Sequence, residues 1–238
     1  MKDTYIFKRV EKKYVIDKAV KEEFLRRISQ RLTPDVHGVS TICSLYLDTP
    51  DFLLIRNSIE ATVYKEKLRI RSYGIPTENS KVFFEIKKKF KGVVYKRRVS
   101  MSYREMMDYL TYRVRPIEGQ IMNEIDWTMK FYGYPEPRVL IFYEREAYTC
   151  EEDDGLRLTF DTNVRYRTEE LTPNGGDTGK PILPKDAVIL EIKTGGGMPL
   201  WLSKVLDEMR IYPEKCSKYG KAYAEIRDNK MKGEFINV

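Results

Sequence analysis

One histidine and three cysteines in 238 residues remove whole classes of chemistry from this chain. His37 lies in a polar loop between Pro34 and Gly38 and reads as a solvated residue. A Ser-His-Asp hydrolase, a Cys-His protease or an H-E-x-x-H zinc site needs a histidine set in a defined constellation, and none is available. Cys43, Cys150 and Cys216 form no C-x-x-C pair, and their odd number and wide spacing fit a reducing compartment without a thiolate metal site. No apolar run approaches the length of a membrane span, and the opening MKDTYIFKRVEKKY has no apolar signal core, so the expectation is a soluble, cytoplasmic chain that does not insert into a membrane. Thr194 to Pro199 (TGGGMP) follows a strand but is not G-x-G-x-x-G. Gly179-Lys180 is followed by Pro181 and has Asn174 where a Walker A loop requires glycine. Neither a Rossmann site nor a P-loop is present.

What is there is a chain 42% hydrophobic and 12% aromatic, enough for one large globular domain or two small ones. Its 43 bases and 36 acids are interspersed, and the net charge of +7 favours anionic partners without identifying one. Chemistry must therefore run on carboxylates, lysine, arginine, tyrosine and a hard metal.

Taken in order, residues 4 to 16 alternate as a strand, and Asp17 caps a helix with Val20, Phe24, Ile28 and Leu32 on its apolar stripe. Ile42 to Asp48 reads as a strand, followed by a short amphipathic segment through Asn57. Strands at IEATVY, Lys67 to Tyr73, Val82 to Lys89 and VVYKRRVSM then form a run of antiparallel hairpins. Ser102-Tyr-Arg-Glu105 is a capping box opening a helix with Met106, Met107 and Leu110 buried, and a second helix is expected from Ile117 to Tyr132. Three further strands follow, with a surface loop from Leu171 to Asp186 before the last. Pro199 and Pro213 each sit at a plausible first helical position, and the tail from Asp228 is polar and expected to fray.

Alternate residues of a strand share a face. Lys67, Arg69 and Arg71 therefore oppose Leu68 and Ile70, while Glu85, Lys87 and Lys89 oppose Phe84 and Ile86. The same parity recurs in Glu11 and Lys13; Lys96 and Arg98; Tyr143 and Arg145; Arg157, Thr159 and Asp161; and Glu191 and Lys193. A solvated sheet face mixes signs and carries Thr, Ser and Gln, whereas here eleven bases meet four acids. Packing such a surplus together is unfavourable unless an anion neutralises it. If the sheet curls so that the charged faces meet, it encloses a tunnel, and a lining of both arginine and lysine suits a chain of phosphates. Glu191 and Glu11 share this parity, and Mg²⁺ or Mn²⁺ is commonly held by one or two carboxylates together with substrate phosphates. Ser217-Lys218 falls in the first turn of the last helix, where free N–H groups attract anions. Sequence-specific nucleic-acid recognition is not expected, because the bases sit on strands and no helix carries a basic reading face.

RVEKKYVI, SLYLDT, KLRIRSYG, VFFEIKKK, YEREAY, LRLTFD, AVILEIKT and CSKYGKAYAE, in this order over residues 5 to 226, resemble the VTC-type polyphosphate polymerase domain of the triphosphate tunnel metalloenzyme (CYTH-like) superfamily. The resemblance implies an α+β fold, a closed antiparallel β-barrel with flanking helices. It implies one domain over residues 1–228, with 229–238 as a polar tail. The tunnel of that family binds the triphosphate of ATP with a divalent metal and passes the γ-phosphate to a growing polyphosphate chain. Carried over by motif, the phosphate-binding residues are Lys13, Arg69, Arg71, Lys87, Arg145, Arg157, Lys193, Ser217 and Lys218, with Glu191 on Mn²⁺ or Mg²⁺. Lys89, Lys96 and Arg98 join them by strand parity alone. Hydrolase and cyclase members typically open with E-x-E-x-K; here the spacing reads Arg9-Val-Glu11-Lys-Lys13, which favours phosphate-to-phosphate transfer over activation of water. The SPX domain and membrane helices of eukaryotic relatives are not in this sequence, and a membrane-bound partner stays open. A triphosphatase of the same fold and a non-catalytic polyphosphate-binding module are the alternatives. Arg69→Ala or Lys193→Ala is expected to abolish turnover with little loss of stability.

Overall fold

The computed structural model describes residues 10–61, 63–91 and 93–236. In chain order its elements are β1 (Val10–Asp17), α1 (Lys18–Ile28), β2 (Thr33–Pro34), β3 (Ser40–Asp48), α2 (Leu53–Glu60), β4 (Tyr64–Tyr73), β5 (Lys81–Phe90), β6 (Val93–Ser102), α3 (Tyr103–Tyr112), α4 (Gln120–Phe131), β7 (Glu136–Cys150), β8 (Asp153–Arg167), β9 (Lys180–Pro181), β10 (Ala187–Thr194), α5 (Leu200–Glu208) and α6 (Lys218–Ile236). The α+β class, the antiparallel pairing and the flanking helices are those expected from the sequence. The packing divides into two compact units. The first comprises Met1–Ser40, Tyr143–Asn163 and Leu183–Cys216, and the second Thr41–Phe142, Val164–Ile182 and Ser217–Val238. The long strands β7 and β8 contribute residues to both.

In the first unit the strand order is β1-β10-β8-β7, with β2 on β7. Tyr14, Ile16, Leu156, Leu158, Phe160, Leu190 and Ile192 turn to one face, where Phe24 and Ile28 of α1 and Leu202 and Leu206 of α5 pack on them. The four-residue apolar spacing of α1 is what lets it lie on that face, and Phe24 meets Phe160 edge-on at 6.3 Å. Asp17 occupies the N-cap position of α1 but makes no side-chain cap bond.

In the second unit the order is β7-β3-β4-β5-β6, with β9 on β8. Leu68, Ile70, Phe84 and Ile86 are fully buried against Met106 and Tyr109 of α3 and Met122, Ile125 and Met129 of α4. The apolar faces of β4 and β5 therefore lie under helices, as the alternation in their sequence requires. The capping box of α3 is formed, with Ser102 Oγ accepting from the Glu105 amide at 3.2 Å and Glu105 accepting from the Ser102 amide at 2.7 Å. Ser102→Ala is expected to lower stability by about 1 kcal/mol in urea unfolding, through loss of that cap.

Several boundaries differ from the sequence reading for identifiable reasons. The strand expected to open at Ile59 does not open there: Ile59 and Glu60 end α2, whose first amides are satisfied by Asp48, which accepts from Leu54 N at 2.8 Å and Ile55 N at 3.0 Å, and β4 begins at Tyr64. The helix expected from Ile117 starts at Gln120, because Gly119 with φ +133° breaks the backbone just before it, and Ile117 is exposed. Tyr103 and Tyr109 join Met106 in the buried face of α3, while Met107 and Leu110 are only partly buried. The last helix opens at Lys218 rather than at Pro213 and continues to Ile236, past the point where the tail was expected to fray. Residues 4–9, including Arg9, lie outside the described residues. Among the described residues no helix is long and apolar enough to cross a membrane.

Candidate functional site

Each unit presents, opposite its apolar face, a face of charged side chains. In the second unit the register places Tyr46, Arg69, Glu85 and Arg98 in one cross-strand row and Lys67, Lys87 and Lys96 in the next. Glu85 is wholly buried at the centre. Its carboxylate accepts from Arg69 Nε at 2.6 Å, takes Lys96 Nζ at 2.6 Å and lies 3.9 Å from Arg71 Nε. Burial alone would raise this carboxyl, but Arg69, Arg71 and Lys96 outweigh it and hold it at about 2. The Lys96 ammonium is pushed down to about 8, by desolvation first and then by facing Arg69 and Arg71 against the pull of Glu85. Its side chain keeps 40% exposure, so solvent screens part of that effect.

One carboxylate leaves this face with a surplus of cations, and some of its buried polar atoms are unsatisfied. Arg71 Nε and Ser44 Oγ, on residues paired across β4 and β3, are buried and have no hydrogen-bond partner. The chain also brings Ser217 to this face from 150 residues away, where its Oγ accepts from Lys67 Nζ at 3.0 Å and from the Gly220 amide at 3.2 Å. Lys218 begins α6 beside it. That docking is fixed by Tyr219, whose ring stacks on Tyr46 at 4.3 Å and whose hydroxyl donates to Asp48 at 2.8 Å. Lys89 and Arg98 are exposed, Arg98 lying over the Phe83 ring at 4.4 Å.

In the first unit the cross-strand rows are Lys13, Glu191 and Thr159, then Glu11, Lys193 and Arg157. Buried Glu191 lies 2.6 Å from Lys193 Nζ and 3.8 Å from both Lys13 Nζ and an Arg145 Nη. Burial raises its carboxyl, but Lys193, Lys13 and Arg145 together hold it well below the usual carboxylate range. Arg145 grips buried Asp161 with two bonds, Nε at 2.6 Å and Nη2 at 2.7 Å, so its fork is already oriented on this face. Thr159 Oγ1 is buried without a hydrogen-bond partner. Glu11 lies 3.4 Å from Lys13.

The structure thus gathers Lys13, Arg145, Lys193, Glu191 and Glu11 on the charged face of the first unit and Arg69, Arg71, Lys87, Lys96 and Ser217 on that of the second, with Lys218 next to Ser217 at the start of α6. Arg157 stands apart: its guanidinium donates to Asp35 at 2.8 Å and is half exposed. Sequence reasoning missed Ser44 and Tyr46, because ICSLYLD reads as apolar on both faces. The signal was their shared parity, which aligns them with Arg71 and Arg69. No group of three or more His, Cys, Asp or Glu that could hold a metal occurs among the described residues.

The family model of the VTC domain matches residues 8–227. No curated protein matches the chain. Among solved structures it is similar to a candidate adenylate cyclase from Bacillus halodurans, at 14% identity over 88% of this chain and 95% of that one, with a TM-score of 0.54. A candidate adenylate cyclase from Vibrio parahaemolyticus follows at 10% identity, covering 90% and 97%, with a TM-score of 0.47. A candidate adenylyl cyclase from Hippeastrum, described as having a dominant triphosphatase activity, is 14% identical over 89% and 93%, with a TM-score of 0.46. The first likeness is one of fold, and the other two are too low for an argument to rest on.

Proposed function

This chain belongs to the VTC domain family, and from that premise we propose that it is an ATP-dependent polyphosphate polymerase, moving the γ-phosphate of ATP onto a polyphosphate chain. The observation that carries the reading is the buried Arg71 Nε, a donor without a hydrogen-bond partner on a face that already holds Lys67, Arg69, Lys87 and Lys96. Buried donors are nearly always paired, and a phosphate oxygen is the acceptor this face is charged to receive.

Phosphoryl transfer asks a protein for alignment and charge neutralisation more than for covalent chemistry. Arg69 and Arg71 supply planar donors to phosphate oxygens. Lys67, Lys87, Lys96 and Lys218 supply point charges, and Ser217 adds a hydroxyl. Glu85 holds Arg69 and Lys96 in place while no phosphate is bound. On the other unit Lys13, Arg145 and Lys193 bind phosphate oxygens in the same way, with Arg145 pre-oriented by Asp161.

The donor set also tests the divalent metal. A site made of protein ligands alone does not fit, because Glu191 is hemmed by three cations. Glu191, with Glu11 near it, does fit Mn²⁺ or Mg²⁺ that shares phosphate oxygens and water as its remaining ligands. Such an ion supplies neutralisation of the charge on the transferring phosphoryl group.

Incubation of the purified protein with ATP and Mn²⁺ is expected to yield long-chain polyphosphate on a gel. Release of orthophosphate alone would make the protein a triphosphatase. Retained binding of tripolyphosphate with no turnover under several metals would make it a binding module.

A further inference from the structure

Tyr46 and Tyr219 share one ring stack, yet their hydroxyls meet opposite surroundings. The Tyr219 hydroxyl donates to Asp48, and burial together with that carboxylate favours its neutral form. The Tyr46 hydroxyl faces cations: it accepts from Arg69 Nη1 at 3.5 Å, and Lys67 and Arg71 flank Arg69 on the same strand face. The charged and titratable groups around it are Lys67, Arg69 and Arg71 on β4, Glu85 on β5 reached through Arg69, Asp48 on its own strand and Tyr219 on α6. Arg138 on β7 acts on Tyr219. Burial opposes ionisation of Tyr46, but Arg69, Lys67 and Arg71 outweigh burial and bring its hydroxyl down to about 8. Of two stacked tyrosines, the one on the basic face is therefore the one that ionises near neutral pH.

We propose that Tyr46 is a proton-linked positioning residue of this anion site, whose phenolate serves as an internal counter-ion for Arg69 and takes up a proton from solvent when a phosphate chain binds. The inference rests on the reading of this face as a polyanion site. Glu85 already neutralises part of the charge on Arg69 and Arg71, so phosphate arriving beside the phenolate adds a further negative group to the same cations; the repulsion favours the phenol, and the neutral hydroxyl then rotates to donate to a phosphate oxygen. Above about pH 8 the greater part of Tyr46 is phenolate in the free protein. Anion binding there draws in a comparable fraction of a proton, and once the phenolate predominates affinity falls up to about tenfold per pH unit from this group.

The test is titration of the protein with tripolyphosphate without metal, from neutral pH to about pH 9.5. It is read by calorimetry in two buffers of different ionisation enthalpy and by the ultraviolet tyrosinate band. Lys96 titrates in the same window but has no absorbance there. The expected result is loss of tyrosinate absorbance on adding tripolyphosphate at alkaline pH. Tyr46→Phe is expected to remove that loss and the share of proton linkage that goes with it, and to weaken binding at neutral pH by about two- to tenfold through loss of one hydrogen bond to phosphate. Tripolyphosphate binding with no change in the tyrosinate band of the wild-type protein overturns the inference and leaves the site reading standing, as does a change that persists in Tyr46→Phe. Failure of the wild-type protein to bind tripolyphosphate at neutral pH overturns the site reading, and this inference with it. The wild-type absorbance measurement decides the matter even if the variant folds poorly.

Discussion

Arg69→Met is expected to lose both stability and turnover, while Arg71→Met loses turnover and keeps its fold. The two arginines are neighbours on one strand face, but they do different things for Glu85. Arg69 Nε makes the 2.6 Å bond to that wholly buried carboxylate, whereas Arg71 Nε stands 3.9 Å away. Stripping a partner from a buried charge costs on the order of 3 kcal/mol, at the low end here because Lys96 and Arg71 remain. Methionine keeps the apolar stem of either side chain, so lost packing does not blur the comparison. For turnover, each loses a preorganised donor to phosphate, worth about 100- to 1,000-fold.

The acid limb of stability checks the same pair. Glu85 has its carboxyl lowered from 4.5 to about 2 in the folded chain, so its contribution is fully present above about 4.5 and is lost as pH falls toward 2. That loss amounts to about 3 kcal/mol over the window, and Arg69→Met should make it shallower. Urea unfolding at neutral pH and near pH 3 reads both effects. Equal stability of the two variants would show that Glu85 does not depend on Arg69. The bond from Arg69 to buried Glu85 argues for a larger loss of stability than the little loss expected of Arg69→Ala from the sequence. Lys193, partly exposed and only one of three cations on Glu191, fits that expectation better.

Glu191→Gln is expected to separate metal-dependent chemistry from anion binding. Glutamine keeps the shape and removes the negative charge, so Lys13, Arg145 and Lys193 lose the carboxylate that competes with phosphate for them. Tripolyphosphate binding measured in EDTA should therefore hold or tighten. Turnover with Mn²⁺ should fall about 100- to 1,000-fold, since the one buried carboxylate on that face suited to a divalent ion is gone. Mn²⁺ added alone should bind neither protein tightly, because three cations oppose it until phosphate arrives. Weaker tripolyphosphate binding in EDTA would mean that Glu191 serves to orient the cations and not to hold metal.

Much of this arrangement was legible in the residues. Strict alternation in KLRIRSY and FFEIKKK assigns each side chain to a face, because a strand offers only two, and the structure places Leu68, Ile70, Phe84 and Ile86 under helices as that alternation demands. Element edges were less legible. Ile59 and Glu60 are β-compatible in isolation, yet they extend α2 because Asp48 satisfies its opening amides, a contact made only once the chain has turned at Phe52. Arg157 carries the right parity and still turns to Asp35, since a flexible, half-exposed guanidinium follows the nearest carboxylate.

The basic face from Lys67 to Lys89 was therefore set by local periodicity, and so was the apolar face behind it. Which charges answer one another on that face was decided by tertiary contacts: Glu85 centred under Arg69, Arg71 and Lys96, Ser217 delivered to Lys67 by the docking of α6, and Tyr46 rather than Tyr219 turned toward the cations. Period two determines a side chain's face from its immediate neighbours. The charge state of a carboxylate or a phenol depends on groups within a few ångströms in space, and these come from strands and helices far apart in the chain.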